Sequence, residues 1–300
     1  MATVNGAPAT VAQTTALALT TYGHFTTLRV ADGAVRGLSL HLDRLVRDCA
    51  AVFGTPLDPE RVRSYVRAAV PRGPEPQNVR VTVFDPALDI GRPAEGAEPH
   101  VLVTMRPAGA LFPPPLRVAT RPYRRDLPEV KHVALFGQLA LRRAARSAGF
   151  DDVLFTEPGG TEPGGTGPGG TGPGGTGARG GLPSGAADGR GRPAGPAVGA
   201  ALSEGCTWNV GFVDGDGRVV WPEAEVLPGV TMELLRRARP GSVVRRVHTT
   251  GLGAMRAVFA TNAAIGVRAV RAVDALTFPE DDPVLAELRA AYREVTPEPL

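Results

Sequence analysis

The segment 157–200 most limits what this chain can fold into. It opens on a five-residue repeat, EPGGT-EPGGT-GPGGT-GPGGT, and drifts through ARGGLPSGAADGRGRPAGPAVGA. Glycine and proline fill 25 of its 44 positions, 18 and 7 respectively. Such a stretch buries almost no apolar surface and cannot offset its own ordering entropy, so it is expected to be a disordered loop. A collagen-like helix is excluded because the period is five rather than three. Any fold must therefore form from the 156 residues before this segment and the 100 after it.

Hydrophobic residues make up 43% of the chain, enough for real cores on both sides. On the N-terminal side, Tyr22–Val30 (YGHFTTLRV) has the β-branched and aromatic content of a strand. Asp32-Gly33 is a hairpin turn, and a second strand is expected over Ala34–Leu40. Leu42, Leu45, Val46, Cys49, Val52 and Phe53 recur at helical spacing, which predicts a helix from His41 to about Phe53, ended by Gly54, with Arg44 in its first turn. A helix over Pro59–Ala69 and strands over Asn78–Phe84 and His100–Met105 follow. Three consecutive prolines within 107–116 mark an extended connector. The expected organisation is α+β with two domains: 1–106, a linker 107–116, and 117–300 interrupted by the repeat loop 157–200.

Beyond the linker, strands are expected at Leu116–Thr120, Asp152–Thr156, Cys206–Val213, Arg218–Trp221, Ser242–Val247, Ala257–Thr261 and Gly266–Val273. Helices are expected at Leu135–Ala148, Val230–Ala238 and Pro283–Val295. The net charge is +3, but its arginines are interspersed with acids, so no nucleic-acid partner is expected. Two cysteines, Cys49 and Cys206, form no disulfide framework and fit a reducing cytoplasm. The first 20 residues lack a basic start and a long apolar run, and no apolar stretch is long enough to span a bilayer. Neither a signal peptide nor a membrane segment is expected. No metal is expected, because the five histidines lack ligand spacing.

Of the 33 basic residues, 32 are arginine, and the single lysine is Lys131. Arginine supplies charge but cannot act as a neutral amine. A lone lysine in an arginine background is thus a candidate Schiff-base nucleophile, or a surface lysine with no role. Leu227-Pro-Gly-Val-Thr231 places a turn before a helix, where free N–H groups favour an anion. Glu204 offers a carboxylate before a strand. An amine, an acid, an arginine and an anion cradle are the parts that pyridoxal phosphate requires.

In order along the chain these motifs resemble those of class IV aminotransferases, the fold type IV pyridoxal-phosphate enzymes. That family includes branched-chain aminotransferases, D-amino-acid aminotransferases and 4-amino-4-deoxychorismate lyase. The resemblance rests on FTT-x-R and H-x-x-R-L near the N-terminus, Lys131-His132, Ser203-Glu204…Asn209, Leu227–Thr231, and Phe259–Ala264 with Val270–Asp274. It implies a small N-terminal α/β domain, a larger C-terminal pseudo-barrel domain and a homodimer. Lys131 would bind the cofactor covalently and carry the substrate α-proton. Glu204 would pair with the pyridine nitrogen. Arg44, the N–H groups of Val230 and Thr231, and the loop at Asn262-Ala263 would hold the phosphate.

Several positions depart from the family's branches: Phe136 stands where branched-chain enzymes carry Tyr, Ala134 where the lyase carries Asn, Phe84-Asp85 where the D-amino-acid and lyase branches carry Arg-Gly, and Ala269 where the family carries Pro. Tyr22 and Arg125 are the expected substrate wall. The expected activity is transfer of an amino group between an amino acid and a 2-oxo acid. Two readings compete with it: a lyase of the aminodeoxychorismate type that eliminates pyruvate, and a non-catalytic binding protein.

Overall fold

The computed structural model describes residues 2–71, 73–93, 96–158 and 199–300. The disordered-loop expectation for 157–200 falls almost wholly outside these residues. Two sheets organise the molecule. The first runs in the order β16-β4-β3-β5-β6-β1-β2, with every neighbouring pair antiparallel. Its strands are β1 (Ala2–Val4), β2 (Ala7–Pro8), β3 (His24–Ala31), β4 (Ala34–Arg36), β5 (Gln77–Phe84), β6 (His100–Pro107) and β16 (Pro297–Pro299). Helices α2 (Leu38–Phe53) and α3 (Pro59–Ala69) cover one face. Leu38, Leu42, Leu45 and Cys49 pack there with Val62, Val66 and the valines of β5 and β6. The opposite face is left for the site.

The second sheet contains β7 (Leu116–Pro122), β8 (Asp152–Thr156), β9 (Leu202–Gly205), β10 (Asn209–Val213), β11 (Val219–Pro222), β12 (Val243–Arg245), β13 (Ala257–Asn262), β14 (Gly266–Val273) and β15 (Leu276–Thr277). Its order is β12-β11-β10-β13-β14-β7-β8-β9, and an added β9–β10 pairing joins the end of that path to its middle. Six strands thereby close into a ring. Every ring strand contributes a side chain to one apolar cluster, including Leu116, Leu154, Leu202, Val210, Val258 and Val270, so that cluster fills the interior. Helices α5 (Val230–Ala238) and α6 (Pro283–Glu294) pack outside it through Leu235, Leu285 and Leu288, and α4 (Phe136–Ser147) packs on β7 and β8. The architecture is α+β, with a barrel beside a smaller open sheet.

Several expected elements shift. The second hairpin strand stops at Arg36 because Gly37 turns left-handed (φ 71°), and α2 starts at Leu38. Arg44 therefore lies in the second helical turn, not the first. The strand expected over Cys206–Val213 begins only at Asn209, because residues 206–208 form the turn between β9 and β10. There the Trp208 ring lies against Gly205 so closely that a Cβ would sit 1.9 Å from it. Strand β12 is limited to Val243–Arg245, and β7 runs on to Pro122. The stretch before Tyr22, for which no elements were expected, forms β1, β2 and helix α1 (Val11–Thr20), whose Thr10 and Gln13 make a reciprocal capping box.

Candidate active site

A cavity of about 420 Å³ lies between the open face of the first sheet and the barrel. Phe25 and Thr27 of β3, Asn78 and Arg80 of β5, and Thr104 and Arg106 of β6 form one wall. Lys131, Arg125, Glu204, Asn209, Gly229, Val230, Asn262 and Ala263 line it from the barrel side, and His41 and Arg44 from α2. Five arginines and Lys131 face a single lining carboxylate, Glu204. Such a surplus of positive charge favours an anionic occupant.

Lys131 sits where the two units meet, and the first unit holds both of its main-chain polar atoms. Its N–H donates to Asp48 Oδ2 (3.0 Å), and its carbonyl accepts from Phe25 N–H (2.8 Å). Val133 N–H donates to the Gly23 carbonyl, which lays 131–133 against the start of β3. Gly23 has φ +150°, and a Cβ there would meet the Val83 carbonyl oxygen at 2.5 Å, so the position demands glycine. The Lys131 amine makes no hydrogen bond among the described residues, and it lies 4.9 Å from the Phe25 ring centroid. Burial lowers its pKa to about 7, with help from Arg44, Arg125 and Arg80, while Glu204 opposes the shift. A large fraction of this amine is then neutral near pH 7.

Glu204 is the next-to-last residue of β9 and is buried. Its Oε2 accepts from Leu227 N–H (3.3 Å), and its Oε1 lies 3.5 Å from an Arg125 guanidinium nitrogen. Burial raises its pKa, opposed by Arg125, the Leu227 N–H and Lys131. Asn209, paired across from Glu204, donates its amide to the Leu227 carbonyl (2.8 Å). The two side chains thus grip both polar atoms of Leu227 and fix the turn that opens α5. A Cβ at Gly229 would sit 1.9 Å from Asn209 Oδ1. The turn can come this close only with glycine, and it leaves the N–H groups at the start of α5 without a side-chain cap.

Arg44 is buried and donates to Thr26 Oγ1. The same hydroxyl lies 2.7 Å from His41 Nδ1. Arg44 Nη2 also stands 3.2 Å from that ring nitrogen, and a guanidinium can only donate, so Nδ1 is the acceptor of a neutral imidazole. Burial and the charges of Arg44 and Lys131 hold His41 far below its ordinary pKa. Burial lowers Arg44 to about 10, against the pull of Asp48. Asn262 Oδ1 accepts from the N–H groups of Ala264 and Ile265 (3.0 and 3.1 Å), while its Nδ2 donates to the Thr207 carbonyl. The Asn262 side chain shapes this loop, and Ala263 lines the cavity.

The cavity therefore brings together Lys131, Arg44, Glu204, Val230, Asn262, Ala263 and Arg125. Thr231 is buried in the first turn of α5, behind Val230. Tyr22 does not join them. Its hydroxyl donates to the Val52 carbonyl at the end of α2, and its ring packs edge-on against Phe53 (5.7 Å). Sequence reasoning missed Asp48, Gln138, Arg80 and Arg106, and named Asn209 only as part of a motif, without a role. Asp48 had a signal, since it interrupts the apolar stripe of α2 between Leu45 and Cys49. Gln138, on α4, is 1% exposed, and neither amide atom of its side chain has a partner.

Comparison with known proteins matches the chain to the amino-transferase class IV family over residues 23–163 and 199–273. The chain belongs to that family. No curated protein matches its sequence. An apo hypothetical aminotransferase from Mycobacterium tuberculosis overlays with a TM-score of 0.73 at 16% identity, covering 98% of both chains. Branched-chain aminotransferase from Thermoproteus uzoniensis, solved with norvaline, gives 0.72 at 17% identity, over 97% of this chain and 93% of that one. The 4-amino-4-deoxychorismate lyase of Pseudomonas aeruginosa gives 0.70 at 22% identity, over 98% of each. These likenesses show the fold.

Class IV aminotransferases are pyridoxal-phosphate enzymes. The residues present suit that cofactor. An unbonded amine, the unsatisfied Gln138 amide, free N–H groups at the start of α5 and the arginine excess together call for a polar, anionic, carbonyl-bearing group.

Proposed function

We propose that this chain is a pyridoxal-phosphate aminotransferase that moves an amino group between an amino acid and a 2-oxo acid. Lys131 carries the reading: the one lysine of the chain faces a positively lined cavity with its amine held near pKa 7. The bound cofactor supplies an aldehyde that condenses with amines and a ring that withdraws electrons from the carbon beside the nitrogen.

The neutral Lys131 amine is the covalent attachment point, and once displaced it accepts and returns the substrate α-proton at Nζ. Glu204 would pair with the cofactor's ring nitrogen, and Arg125 together with the Leu227 N–H opposes the rise that burial imposes on the Glu204 pKa. Arg44, the N–H groups at Val230 and Thr231, and the main chain at Ala263 hold the phosphate. Arg80 and Arg106 form no ion pair with any carboxylate among the described residues, and they support a carboxylate-bearing substrate. Arg125 is spoken for by Glu204, so its role is on the cofactor side.

Mixing the purified holoenzyme with an amino donor tests the reading. Conversion of the cofactor to its pyridoxamine form, seen as a shift of the visible-edge absorbance band, supports an aminotransferase. Pyruvate release from aminodeoxychorismate without that conversion makes it a lyase. A colourless protein that borohydride does not label at Lys131 is neither.

A homodimer is part of the proposal. Helix α1 buries none of its residues, and Val11, Leu19 and Phe136 are 82%, 75% and 87% exposed. Such a surface needs cover. Light scattering at the mass of one chain would overturn this point. The proposed compartment is the cytoplasm, supported by two buried free thiols. Among the described residues no helix is long and apolar enough to cross a membrane.

A further inference from the structure

Helix α2 carries a fully buried carboxylate that the chemistry above does not use. Asp48 is 0% exposed. Its Oδ2 accepts the Lys131 N–H at 3.0 Å, and its Oδ1 accepts from Arg47 at 3.0 Å. Arg44 stands one helical turn earlier on the same helix, and Asp48 is the main group opposing the fall of its pKa. We propose that Asp48 is a positioning residue, which ties the main chain of the catalytic lysine to the helix that carries the phosphate-binding arginine. The inference rests on the function proposed above.

The physical case is one of spacing. A phosphorylated ring is rigid, so its phosphate anchor and its covalent anchor must sit at a set separation. These anchors belong to different units of the protein. Arg44 comes from α2 of the first, whereas Lys131 comes from the segment between β7 and α4 of the second. Residues four apart on a helix lie on one face. One rigid helix thus fixes Arg44 and, through Asp48, the lysine backbone. The Phe25 N–H holds the Lys131 carbonyl from the other side. With both main-chain atoms pinned, the amine starts from a fixed Cα and swings only through its side-chain torsions. Misplacing a reacting group by about 1 Å costs on the order of a hundredfold in rate.

A buried carboxylate is an expensive way to hold one N–H, and burial does raise the Asp48 pKa. Arg47 and Arg44 face it from its own helix, and the Lys131 N–H faces it from the neighbouring segment. The Lys131 N–H, Arg47 and Arg44 oppose that rise, and the negative charge they favour offsets part of the positive charge around the amine. The hydrogen bond and the charge can be separated, because asparagine retains the acceptor and alanine retains neither.

The test compares Asp48→Asn and Asp48→Ala with wild-type holoenzyme. Hydrogen exchange at the Lys131 amide reads the pin directly and does not depend on turnover. In Asp48→Ala, exchange at residue 131 is expected to accelerate about tenfold or more beyond any change at Val79 or Val81 in the core strand β5. The kcat should fall roughly ten- to a hundredfold, with KM for the amino donor within about twofold. Asp48→Asn should recover slow exchange and most of kcat, and its cofactor–lysine band should titrate at lower pH, because a negative charge has been removed. The proposal is overturned if Asp48→Ala leaves exchange at residue 131 unchanged, or if Asp48→Asn exchanges as fast as the alanine variant. Should the alanine variant not fold, exchange at residue 131 in Asp48→Asn decides alone: wild-type protection supports the pin, and its loss removes it. A wild-type protein without a lysine–cofactor band would instead sink the proposed function, whatever the exchange shows.

Discussion

Two acid–base pairs lie within one strand pairing of each other, and they are built differently. Asp152 of β8 accepts two hydrogen bonds from Arg142 (2.9 and 2.7 Å), one from the Trp208 indole (3.0 Å) and one from the Val153 N–H (2.8 Å). Arg142 spends a further bond on Thr207. Among the described residues, Glu204 of β9 has only the Leu227 N–H at 3.3 Å and Arg125 at 3.5 Å, and Arg125 Nε has no partner. A saturated pair locks strands together. A pair left loose and open to a cavity keeps capacity for something else. The contrast separates scaffold from chemistry among groups of identical type.

Substitutions can break the contrast. The largest expected effect is at the amine the loose pair serves: Lys131→Ala should lower turnover by on the order of 10⁴ or more and abolish the borohydride-trapped adduct. Glu204→Gln should lower kcat by about 10² to 10³ with little change in melting temperature. Asp152→Asn should reverse that pattern. It is expected to destabilise the fold by roughly 2–3 kcal/mol in denaturant titration, yet leave the cofactor band in place. If Asp152→Asn changes the band and Glu204→Gln changes stability, the division between the pairs is wrong.

The smallest effect is a pH dependence. The Lys131 pKa falls from 10.5 to about 7 on folding, so the native state holds fewer protons than the unfolded state between those values. Stability should therefore rise with pH across that window, and the cost of burying the charged amine is fully present below about pH 7. Lys131→Met should raise the melting temperature of the cofactor-free protein at pH 7, by a margin that shrinks toward pH 10. In the cofactor-free wild-type protein, formation of the lysine–cofactor band from added cofactor should slow as pH falls through about 7.

Much of this molecule was legible because its signals are local. The α2 and α3 stripes, the β-branched strands and the Leu227–Thr231 turn each announce themselves within a dozen residues. The lysine stood out by composition alone. Helix α1 was not legible, since VAQTTALALT has no apolar stripe; of its large apolar residues only Leu17 packs on a core cluster, and the Thr10–Gln13 cap marks its start. Residue Tyr22 was misplaced because the chain turns at Gly23, where the left-handed φ and the tight approach to Val83 send its ring to Phe53 and not to the cavity. The partners of Lys131 were hidden for another reason: Phe25 and Asp48 lie 106 and 83 residues away along the chain, and only the docking of two units brings them together.

Strand β16 has a consequence for the way the protein is made. Its residues pair with β4 at the edge of the first sheet, and the Leu300 N–H bonds to the Gly33 carbonyl. Between β6 and β16 the ribosome must deliver the entire barrel. The unit translated first is thus completed last, and until residues 297–299 emerge its outer hairpin strand has a bare edge open to other nascent chains. Expression hosts rich in ribosome-associated chaperones, and fusions placed at the N-terminal end, suit a protein assembled in that order.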